Sequence, residues 1–458
     1  MEILDWSTLD AAGRRAALAR PAQDSRADIA ERTAQIISKV RAAGDHALRE
    51  LTERFDGIRI EDLQVSPEEF AAARSSLRPN EIAALERAIA NVQTFHEAQM
   101  PAPLSIETMP GVLCERIVRP IPAVGLYVPA GSAPLPSAVI MLAVPARIAG
   151  SPKRVLCTPP NREGNANAAV LVAAELCGID TVFKVGGAQA IAALAYGTES
   201  IPKVDKIFGP GNAWVTAAKQ FVASDPAGAA IDLPAGPSEV LVIADELARP
   251  ELVASDLLAQ AEHDPQSQAI LLTPSHELAT AVAKAVEIQT RELSRGSILE
   301  TSLGTSRCIV VADVAEAISV ANDYAAEHLI LQVREPRRWL PQIVNAGSVF
   351  LGEWSPEPMG DYCSGTNHVL PTYGYARAYS GLSVLDFIKR ITVQELTPDG
   401  LRTLGPVAVT LAQLEGLDAH ASAVLKRLEI LNGGDEPTTS GNPATLEKAL
   451  AGQRKLAP

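Results

Sequence analysis

The spacing of apolar residues in the first part of the chain predicts helices. Between residues 28 and 43, apolar positions recur three and four apart, a spacing that gives a helix one apolar face. Residues 66–99 open with Ser-Pro-Glu-Glu, a typical helix start, and continue as alanine-rich periodic runs. We therefore predict that residues 1–118 form a mainly helical N-terminal region.

From about residue 120, short β-branched runs alternate with helical patterns in two successive series. The first series, residues 119–236, has predicted strands at 123–128, 154–158, 181–185 and 206–208. The second series, residues 237–380, has predicted strands at 240–243, 269–272, 308–311, 329–333 and 348–351, and a predicted helix at 336–345. Because such repetition implies parallel sheets flanked by helices, we predict an α/β fold with a duplicated architecture.

The pattern becomes irregular after residue 371. A short helix is predicted near residues 384–389, and a longer helical stretch is predicted at 406–431. We group residues 381–432 as a C-terminal helical segment. The last residues, 433–458, are rich in Gly, Pro, Thr and Ser, a composition typical of a solvated, disordered tail.

Composition narrows the class of protein. The chain has 458 residues, of which 47% are hydrophobic, enough for large buried cores. It carries 40 Lys and Arg against 54 Asp and Glu, and the net charge of −14 disfavours nucleic acid as a partner. The longest apolar candidate, residues 137–150, is too short for a membrane span and is interrupted by Pro145 and Arg147. Because acidic residues stand near the N-terminus, where a secretory signal is basic, we expect a cytoplasmic protein without a membrane partner.

The cysteine pattern limits how a metal could be held. The cysteines are scattered and no CxxC pair occurs, which argues against a disulfide framework and against a thiolate zinc finger. They stand at Cys114, Cys157, Cys177, Cys308 and Cys363. A metal site in this chain would therefore use mainly nitrogen and oxygen ligands.

Two short segments place a histidine beside another polar side chain. Gln260 and His263 are three apart near the predicted end of a helix, a spacing that can direct both side chains to one ion. Taken alone, such residues at a helix end are usually solvated. Glu327 and His328 directly precede a predicted strand, and a carboxylate with an imidazole is the commonest acid–base pair near neutral pH. On that dipeptide alone, an exposed loop pair is the simpler interpretation.

Residues 360–368, GDYCSGTNH, form the most unusual polar segment. The segment follows a predicted strand, and ligands of open α/β sheets bind beyond the carboxyl ends of strands, so we favour a functional role for it. Glu415 and His420, taken alone, are an ordinary polar helix face. The glycines at 186–187 and 209–211 do not match the GxGxxG fingerprint. The residues by themselves thus indicate an α/β protein with a candidate His/Asp/Gln metal site and no identifiable dinucleotide site.

Five motifs, in this order and at these spacings, resemble those of the histidinol dehydrogenase family. They are GPGN at residues 209–212, PAGPSE at 234–239, QAEH at 260–263, EH at 327–328 and GTNHVLPT at 365–372. The resemblance runs from about residue 29 to residue 431. It implies two Rossmann-like parallel-sheet domains, residues 119–236 and 237–380, in a fold that lacks the glycine fingerprint. It also implies that residues 381–432 are a dimerisation segment.

The resemblance implies a zinc-dependent enzyme that uses NAD to oxidise L-histidinol to L-histidine, through histidinaldehyde, in two successive hydride transfers. By position, the implied zinc ligands are Gln260, His263, Asp361 and His420. The zinc would hold the amino and imidazole nitrogens of the substrate and orient its carbinol carbon, rather than activate water. Glutamine is an uncommon zinc ligand, and a single anionic ligand leaves the ion strongly electrophilic.

Further roles follow from the same resemblance. Glu327 and His328 match the catalytic pair: neutral His328 would take the hydroxyl proton as hydride leaves, and Glu327 would activate the water that adds to the aldehyde. The implied substrate-binding positions are Ser238, Gln260, His263, His328, Asp361, His368, Glu415 and His420, and the implied NAD-contacting positions are Tyr127, Gln189 and Asn212. In the family, the segment with Glu415 and His420 crosses to the partner subunit, which implies a homodimer with shared active sites.

Three alternatives stay open on sequence grounds. The first is a related NAD-dependent dehydrogenase of another small polyol, which should differ where an imidazole is held; here His368, Glu415 and His420 are present. The second is a non-catalytic, zinc-stabilised assembly protein, which would not need a Glu-His pair beside the metal ligands. The third concerns Cys363, whose thiol could form a thiohemiacetal with the aldehyde, although we favour water activated by a carboxylate.

Overall fold

The computed structural model of the chain describes residues 1–21, 26–130, 133–233 and 236–433. These residues form two compact units, which are described separately. The first comprises residues 1–101 and 119–389, and the second comprises residues 102–118 and the chain from residue 390. The tail predicted at 433–458 lies outside the described residues except for Gly433. The domain boundaries inferred from the sequence stay a prediction.

Strands and helices alternate through most of the described chain. The strands are β1 (Glu2–Asp5), β2 (Leu104–Met109), β3 (Val112–Pro120), β4 (Ala123–Tyr127), β5 (Lys153–Thr158), β6 (Val182–Lys184), β7 (Lys206–Phe208), β8 (Ala230–Ile231), β9 (Glu239–Ala244), β10 (Gln268–Thr273), β11 (Arg307–Val310), β12 (His328–Gln332), β13 (Ser348–Leu351) and β14 (Ile388–Leu396). The helices are α1 (Ala11–Ala17), α2 (Arg26–Asp56), α3 (Pro67–Ser76), α4 (Pro79–Glu97), α5 (Pro136–Ile148), α6 (Ala168–Leu176), α7 (Gly187–Tyr196), α8 (Ala213–Ser224), α9 (Pro250–Ala261), α10 (His276–Thr290), α11 (Gly296–Thr305), α12 (Val314–Tyr324), α13 (Glu357–Tyr362), α14 (Pro398–Leu414) and α15 (Asp418–Gly433). Short 3-10 helices lie at Trp6–Thr8, Pro336–Gln342, Tyr375–Arg377 and Val384–Phe387. Of the helices described, none is long and apolar enough to cross a membrane.

The N-terminal region is mainly helical, as predicted. The helix start predicted at Ser66 is a capping box, in which the Ser66 hydroxyl accepts the Glu69 amide at 3.2 Å and the Glu69 carboxylate accepts the Ser66 amide at 2.9 Å. The sequence pattern does not predict β1, which pairs in parallel with β11 so that Glu2 lies opposite Arg307, or the antiparallel pair β2 and β3. β1 is stabilised by a strand far along the chain, and local periodicity carries no information about such a partner.

The first series of predicted strands forms a five-stranded parallel sheet in the order β6-β5-β4-β7-β8. The predicted strands are all present, and the two-residue β8 is an addition. Starting from β4, the next two strands, β5 and β6, are added on one side, and the later strands β7 and β8 are added on the other side. This is the strand order of a Rossmann sheet, and the direction of winding reverses between β4 and β7. Residues 137–146 of α5 are buried on every side, which explains why this helix is apolar throughout.

The second series forms a six-stranded parallel sheet in the order β1-β11-β10-β9-β12-β13. Counted from β9, its consecutive strands follow the same order as in the first sheet, which confirms the duplicated α/β architecture. Its central strands are buried on both faces, as expected of parallel strands between helices. One local prediction was wrong, because the helix predicted at 336–345 is a 3-10 helix at Pro336–Gln342, in whose interior Pro341 lacks an amide donor. Helix α11 was not predicted.

The second unit combines a three-stranded sheet, in the order β14-β3-β2, with the helices α14 and α15. The helix predicted at 384–389 is instead a 3-10 helix that leads into β14. The helical stretch predicted at 406–431 is divided, because α14 ends at Leu414 and Gly416 adopts a left-handed φ of 70° before α15 begins at Asp418.

The turn after β7 requires glycine at position 209. Gly209 has a φ of 125°, and a Cβ atom at this residue would lie 2.0 Å from the Tyr127 carbonyl oxygen. The Gly209 amide donates to Asp232 at 2.8 Å, and the Gly209 carbonyl accepts from Lys219 at 2.9 Å, so the turn is held on both sides. Because positive-φ strain adds to the backbone clash, we expect Gly209→Ala to lower the free energy of unfolding by at least about 2 kcal/mol. Urea denaturation followed by circular dichroism measures this change.

Gly296→Ala is the matched control. Gly296 begins α11, and no described atom lies within 4 Å of an added Cβ. Alanine favours the helical conformation, so the free energy of unfolding should stay within about 1 kcal/mol of wild type or rise. Equal stability of the two variants would contradict the requirement for glycine at position 209.

Candidate functional site

The amino ends of two neighbouring strands of the second sheet bring the central side chains together. Glu239 begins β9 and His328 begins β12, and His328 lies opposite Val240 in the parallel pairing of these strands. Helix α9 ends at Ala261, which places Gln260 in its last turn. The Gln260 Oε1 atom lies 3.0 Å from Nδ1 of His328, and both side chains are buried. This helix end is therefore not the solvated terminus that the sequence alone suggests.

Carboxylates surround His328. Its Nδ1 atom lies 3.7 Å from Oε2 of Glu327 and 3.8 Å from Oε1 of Glu357. Its Nε2 atom lies 3.5 Å from Oδ1 of Asp361. Burial by itself lowers the pKa of His328, but the negative charges of these three neighbours raise it to about 10. The proton affinity of this imidazole is therefore set by its acidic neighbours.

Glu327 has a fixed orientation and an unusual proton affinity. Only 5% of the residue is exposed, and burial raises the pKa of its carboxyl to about 8. Its Oε2 atom accepts a hydrogen bond from the Glu239 amide at 2.9 Å, across the junction between β9 and β12. A carboxylate that is held in place and has a pKa near neutrality has the properties of a general base.

Sequence reasoning missed one buried acid of this cluster, Glu357. It lies on α13 four residues before Asp361, so the two carboxylates share one face of the helix. The side chain is 1% exposed, and neither of its oxygens has a hydrogen-bond partner among the described residues. Burial raises the pKa of its carboxyl to about 8. The spacing of four from Asp361 is the signal in the sequence that could have identified it.

Several donor atoms converge closely enough to hold one ion. Ligand atoms of His263, Glu357 and Asp361 all lie within 4.8 Å of one another. Within the described chain, Nε2 of Gln260 and Nε2 of His328 are also buried without hydrogen-bond partners. Folded proteins rarely leave several buried polar atoms unpaired in one place, so the cluster has the properties of a site for a cation or a polar ligand.

Two of the implied site residues belong to the second unit. Glu415 follows the last residue of α14, His420 lies in the first turn of α15, and both are exposed. The first unit therefore supplies Gln260, His263 and Asp361, and the roles of Glu415 and His420 stay predictions.

A cavity of about 50 Å³ adjoins the cluster. Ser238, Glu327 and His368 line it, together with the turn after β7. The cavity therefore lies between the carboxyl end of a strand of the first sheet and the amino ends of β9 and β12. The expectation that the segment 360–368 lies beyond the carboxyl end of a strand is wrong for the second sheet, because α13 brings Asp361 to the amino end of β12.

Asn367 ties the segment that carries His368 to helix α5. Pro145 has no N–H group, so the Met141 carbonyl lacks its helical donor, and the Asn367 amide donates to this carbonyl at 2.8 Å. The Asn367 Oδ1 atom accepts from the Val369 amide at 3.0 Å. A proline inside a buried helix thus creates the anchor that holds His368 in the cavity wall.

The three positions implied for NAD lie at the carboxyl edge of the first sheet. Tyr127 ends β4, Gln189 lies in the first turn of α7, and Asn212 caps the start of α8. The Tyr127 hydroxyl accepts the Gly187 amide at 3.0 Å. Tyr127 and Gln189 are buried, whereas Asn212 is exposed. Tyr127 and Asn212 follow β4 and β7, the two strands between which the winding of the sheet reverses, and ligands of such sheets bind at that point. Gln189 follows the edge strand β6.

Comparison with known proteins decides the family. The sequence model described as Histidinol dehydrogenase matches residues 18–428. The chain belongs to the histidinol dehydrogenase family. Histidinol dehydrogenase from Vibrio vulnificus is 55% identical over 432 residues, 94% of this chain and 99% of the relative, and that from Xanthomonas campestris is 56% identical over 430 residues, 94% of this chain and 100% of the relative. The crystal structure of histidinol dehydrogenase from Elizabethkingia anophelis matches with 45% identity and a TM-score of 0.91, over 94% of this chain and 99% of that chain.

Membership in the histidinol dehydrogenase family confirms the resemblance inferred from the motifs. The structure shows where each of the five histidinol dehydrogenase motifs lies. GPGN forms the turn after β7, QAEH ends α9, EH begins β12, and GTNHVLPT is anchored on α5. PAGPSE ends at Glu239, whose amide binds Glu327; its residues 234–235 lie outside the described residues.

Proposed function

We propose that the chain is a zinc-dependent enzyme that oxidises L-histidinol to L-histidine, through histidinaldehyde, with NAD as the hydride acceptor. The observation that carries the proposal is the position of Glu327 and His328, a candidate acid–base pair, beside the donor atom of Asp361. Glu327 also shares a cavity with Ser238. The substrate is supported by the relatives, which are named histidinol dehydrogenases.

The donor set fits a zinc ion. His263 and Asp361 offer a nitrogen and an oxygen at close range, and burial lowers the pKa of His263, which favours the neutral form that binds metals. Gln260 adds an amide from the last turn of α9. Nε2 of Gln260 and both carboxylate oxygens of Glu357 are buried without hydrogen-bond partners among the described residues, and a cation with a polar substrate would satisfy them. When bound, zinc supplies the Lewis-acid charge that holds the nitrogens of the substrate.

His328 and Glu327 serve different steps in this proposal. His328 is positioned to take the hydroxyl proton in the alcohol step, and it must be neutral to do so. The surrounding carboxylates raise the pKa of His328, whereas the charge of a bound cation opposes its protonation. In the aldehyde step, Glu327 is positioned to take a proton from water, and its raised pKa makes it a stronger base than a surface carboxylate.

NAD is expected at the carboxyl edge of the first sheet. When bound, it accepts hydride from the carbinol carbon. Tyr127 holds the turn at Gly187, and Asn212 stands at the amino end of α8, where backbone amides favour an anionic diphosphate. The turn at Gly209 belongs both to this edge and to the cavity lined by Glu327, an arrangement that favours a cofactor and a substrate meeting there.

We further propose a homodimer with shared active sites, in which Glu415 and His420 of each subunit serve the site of the other. Helices α14 and α15 and the turn between them expose several large apolar side chains: Val407, Leu411, Leu414, Leu417, Leu425 and Ile430. Exposed apolar surface of this kind is typical of an interface between subunits. His420 would then complete the zinc site only in the dimer. A cytoplasmic location stays a prediction from composition.

An assay of NADH against L-histidinol tests the proposed function. Because four electrons leave the substrate in two hydride transfers, each L-histidinol consumed should yield two NADH and one L-histidine. Absorbance of NADH and chromatography of the product give the ratio. Accumulation of the aldehyde with one NADH would contradict the second step, and NADH formed only with other small diols would favour the polyol alternative.

A further inference from the structure

Arg20 lies next to the strand junction that orients Glu327. Its guanidinium contacts both carboxylate oxygens of Glu239, at 2.5 Å from Nε and at 2.8 Å from Nη2. The same Nη2 atom donates to the Tyr324 carbonyl at 2.8 Å, and the guanidinium stacks over the Tyr324 ring at 4.0 Å from its centroid. Side-chain exposure is 13% for Arg20 and 2% for Glu239, so water screens this ion pair weakly.

Arg20 thereby joins the two chain segments that form the Glu239–Glu327 hydrogen bond. Glu239 begins β9 and supplies the amide that donates to Glu327 at 2.9 Å. Tyr324 ends α12 and is followed by Ala325, which has a left-handed φ of 56°, and the chain reaches Glu327 two residues later. A left-handed alanine is strained, so this connection keeps its shape only because surrounding contacts hold it. The guanidinium binds both segments at once.

Further buried hydrogen bonds hold the same network. The Tyr324 hydroxyl lies 3.1 Å from Glu239 Oε2 and 2.7 Å from Gln268 Oε1. The Gln268 amide donates to the carbonyl of Ala19, next to Arg20 in the chain, at 3.0 Å. Both carboxylate oxygens of Glu239 are thus engaged in contacts within the protein. The Glu239 side chain therefore serves to fix its own backbone rather than to contact a substrate.

We propose that Arg20 is a positioning residue for Glu327: through Glu239 and the Tyr324 carbonyl, it holds the Glu327 carboxylate in the orientation needed to take a proton from water in the aldehyde step. The inference rests on the proposed function for the role of Glu327. General-base catalysis depends on placement, so a loosened carboxylate slows this step without changing how substrate or metal is held. Arg20 itself touches no reacting atom.

Arg20→Lys tests the proposal in the zinc-loaded full-length protein. Lysine keeps the positive charge but cannot make the two-pronged contact with Glu239 and bind the Tyr324 carbonyl as well. We expect kcat for histidinaldehyde to fall roughly tenfold or more. The KM for histidinaldehyde and the single-turnover rate of the first hydride transfer should stay within about twofold, and zinc content should be unchanged.

Two further variants keep the test decisive. Tyr324→Phe removes only the hydroxyl and should slow the same step by a smaller factor, and it provides the test if Arg20→Lys does not fold. Arg74→Lys is the matched control, because Arg74 forms an ion pair with Glu175 on the surface at 2.9 Å, and it should behave as wild type.

Proportional losses in both steps, or wild-type aldehyde kinetics in folded Arg20→Lys, would overturn the proposal. If the wild-type protein itself does not release two NADH per L-histidinol, the proposed function fails and this inference falls with it.

Discussion

Removal of zinc should lower the turnover of L-histidinol by at least roughly 10³-fold, and added zinc should restore it. In the proposed function, the donors of His263 and Asp361 hold the ion that orients the substrate, so without the ion the carbinol carbon would have no fixed position. Dialysis against a chelator, atomic absorption and the NADH assay before and after zinc addition measure the effect. Undiminished turnover in protein shown to be metal-free would disprove the role of the metal.

A variant of one ligand separates loss of the ion from other effects of the chelator. His263→Ala should reduce the zinc content to well below one ion per subunit, because it removes a nitrogen donor from the cluster. His276→Ala is the matched control, since His276 is exposed and lies 3.5 Å from Asp5, away from the cluster. If both variants kept a full complement of zinc, the placement of the site at the end of α9 would be wrong. This readout does not depend on catalytic activity.

Glu327→Gln should impair the aldehyde step far more than the alcohol step. Glutamine keeps the shape of the side chain and can accept the Glu239 amide, but it cannot take a proton from water. A general base of this kind contributes about 10²–10⁴-fold, so we expect a loss of roughly 10²–10³-fold with histidinaldehyde and of less than about tenfold in the first hydride transfer. Single-turnover measurements with each substrate give the two rates, and equal losses in both would count against the assignment.

The pH profile provides a second readout of Glu327. Burial raises the pKa of its carboxyl from the usual value to about 8, so lowering the pH protonates the base and removes activity. A bound cation lowers this pKa, so the wild-type profile for histidinaldehyde should rise with pH and level off at or below about pH 8. The rising limb should be absent in Glu327→Gln. It should be present in the control Glu353→Gln, because Glu353 is partly exposed and pairs with the exposed Arg249 at 3.2 Å. A separate variant, Cys363→Ala, tests the alternative in which the Cys363 thiol forms a thiohemiacetal with the aldehyde. Loss of aldehyde oxidation with zinc still bound would favour that route over water activated by Glu327.

Local patterning predicted most of the secondary structure because the central strands of the two series are short apolar runs that are buried on both faces. The failures have local causes as well. The segment 336–345 has a helical pattern, but Pro341 lacks an amide donor in its interior and the segment forms only a 3-10 helix. The segment 388–396 has no alternation of buried and exposed residues that would mark it as a strand, and most of it is exposed.

The candidate site was predicted through its motifs, not through its geometry. Gln260, His263 and Glu327 were identified because they belong to recognisable short sequences. Glu357 belongs to none of the motifs. Its spacing of four from Asp361 places the two carboxylates on one helix face, but the distance of 3.8 Å from His328 is what assigns it to the site. Local spacing reports which residues share a helix face or a strand face, but it does not report which elements meet.

The sequence by itself determined the two βα series, the mainly helical region 1–118, the helices between residues 398 and 433 and the family, because these depend on neighbouring positions and on short motifs. Only the tertiary structure decided that the candidate site lies at the amino ends of β9 and β12, that Asn367 replaces the donor missing at Pro145, and that Arg20 reaches Glu239. These contacts join residues far apart in the chain, and their distances are set by how whole sheets and helices pack. No periodicity along the chain encodes that packing.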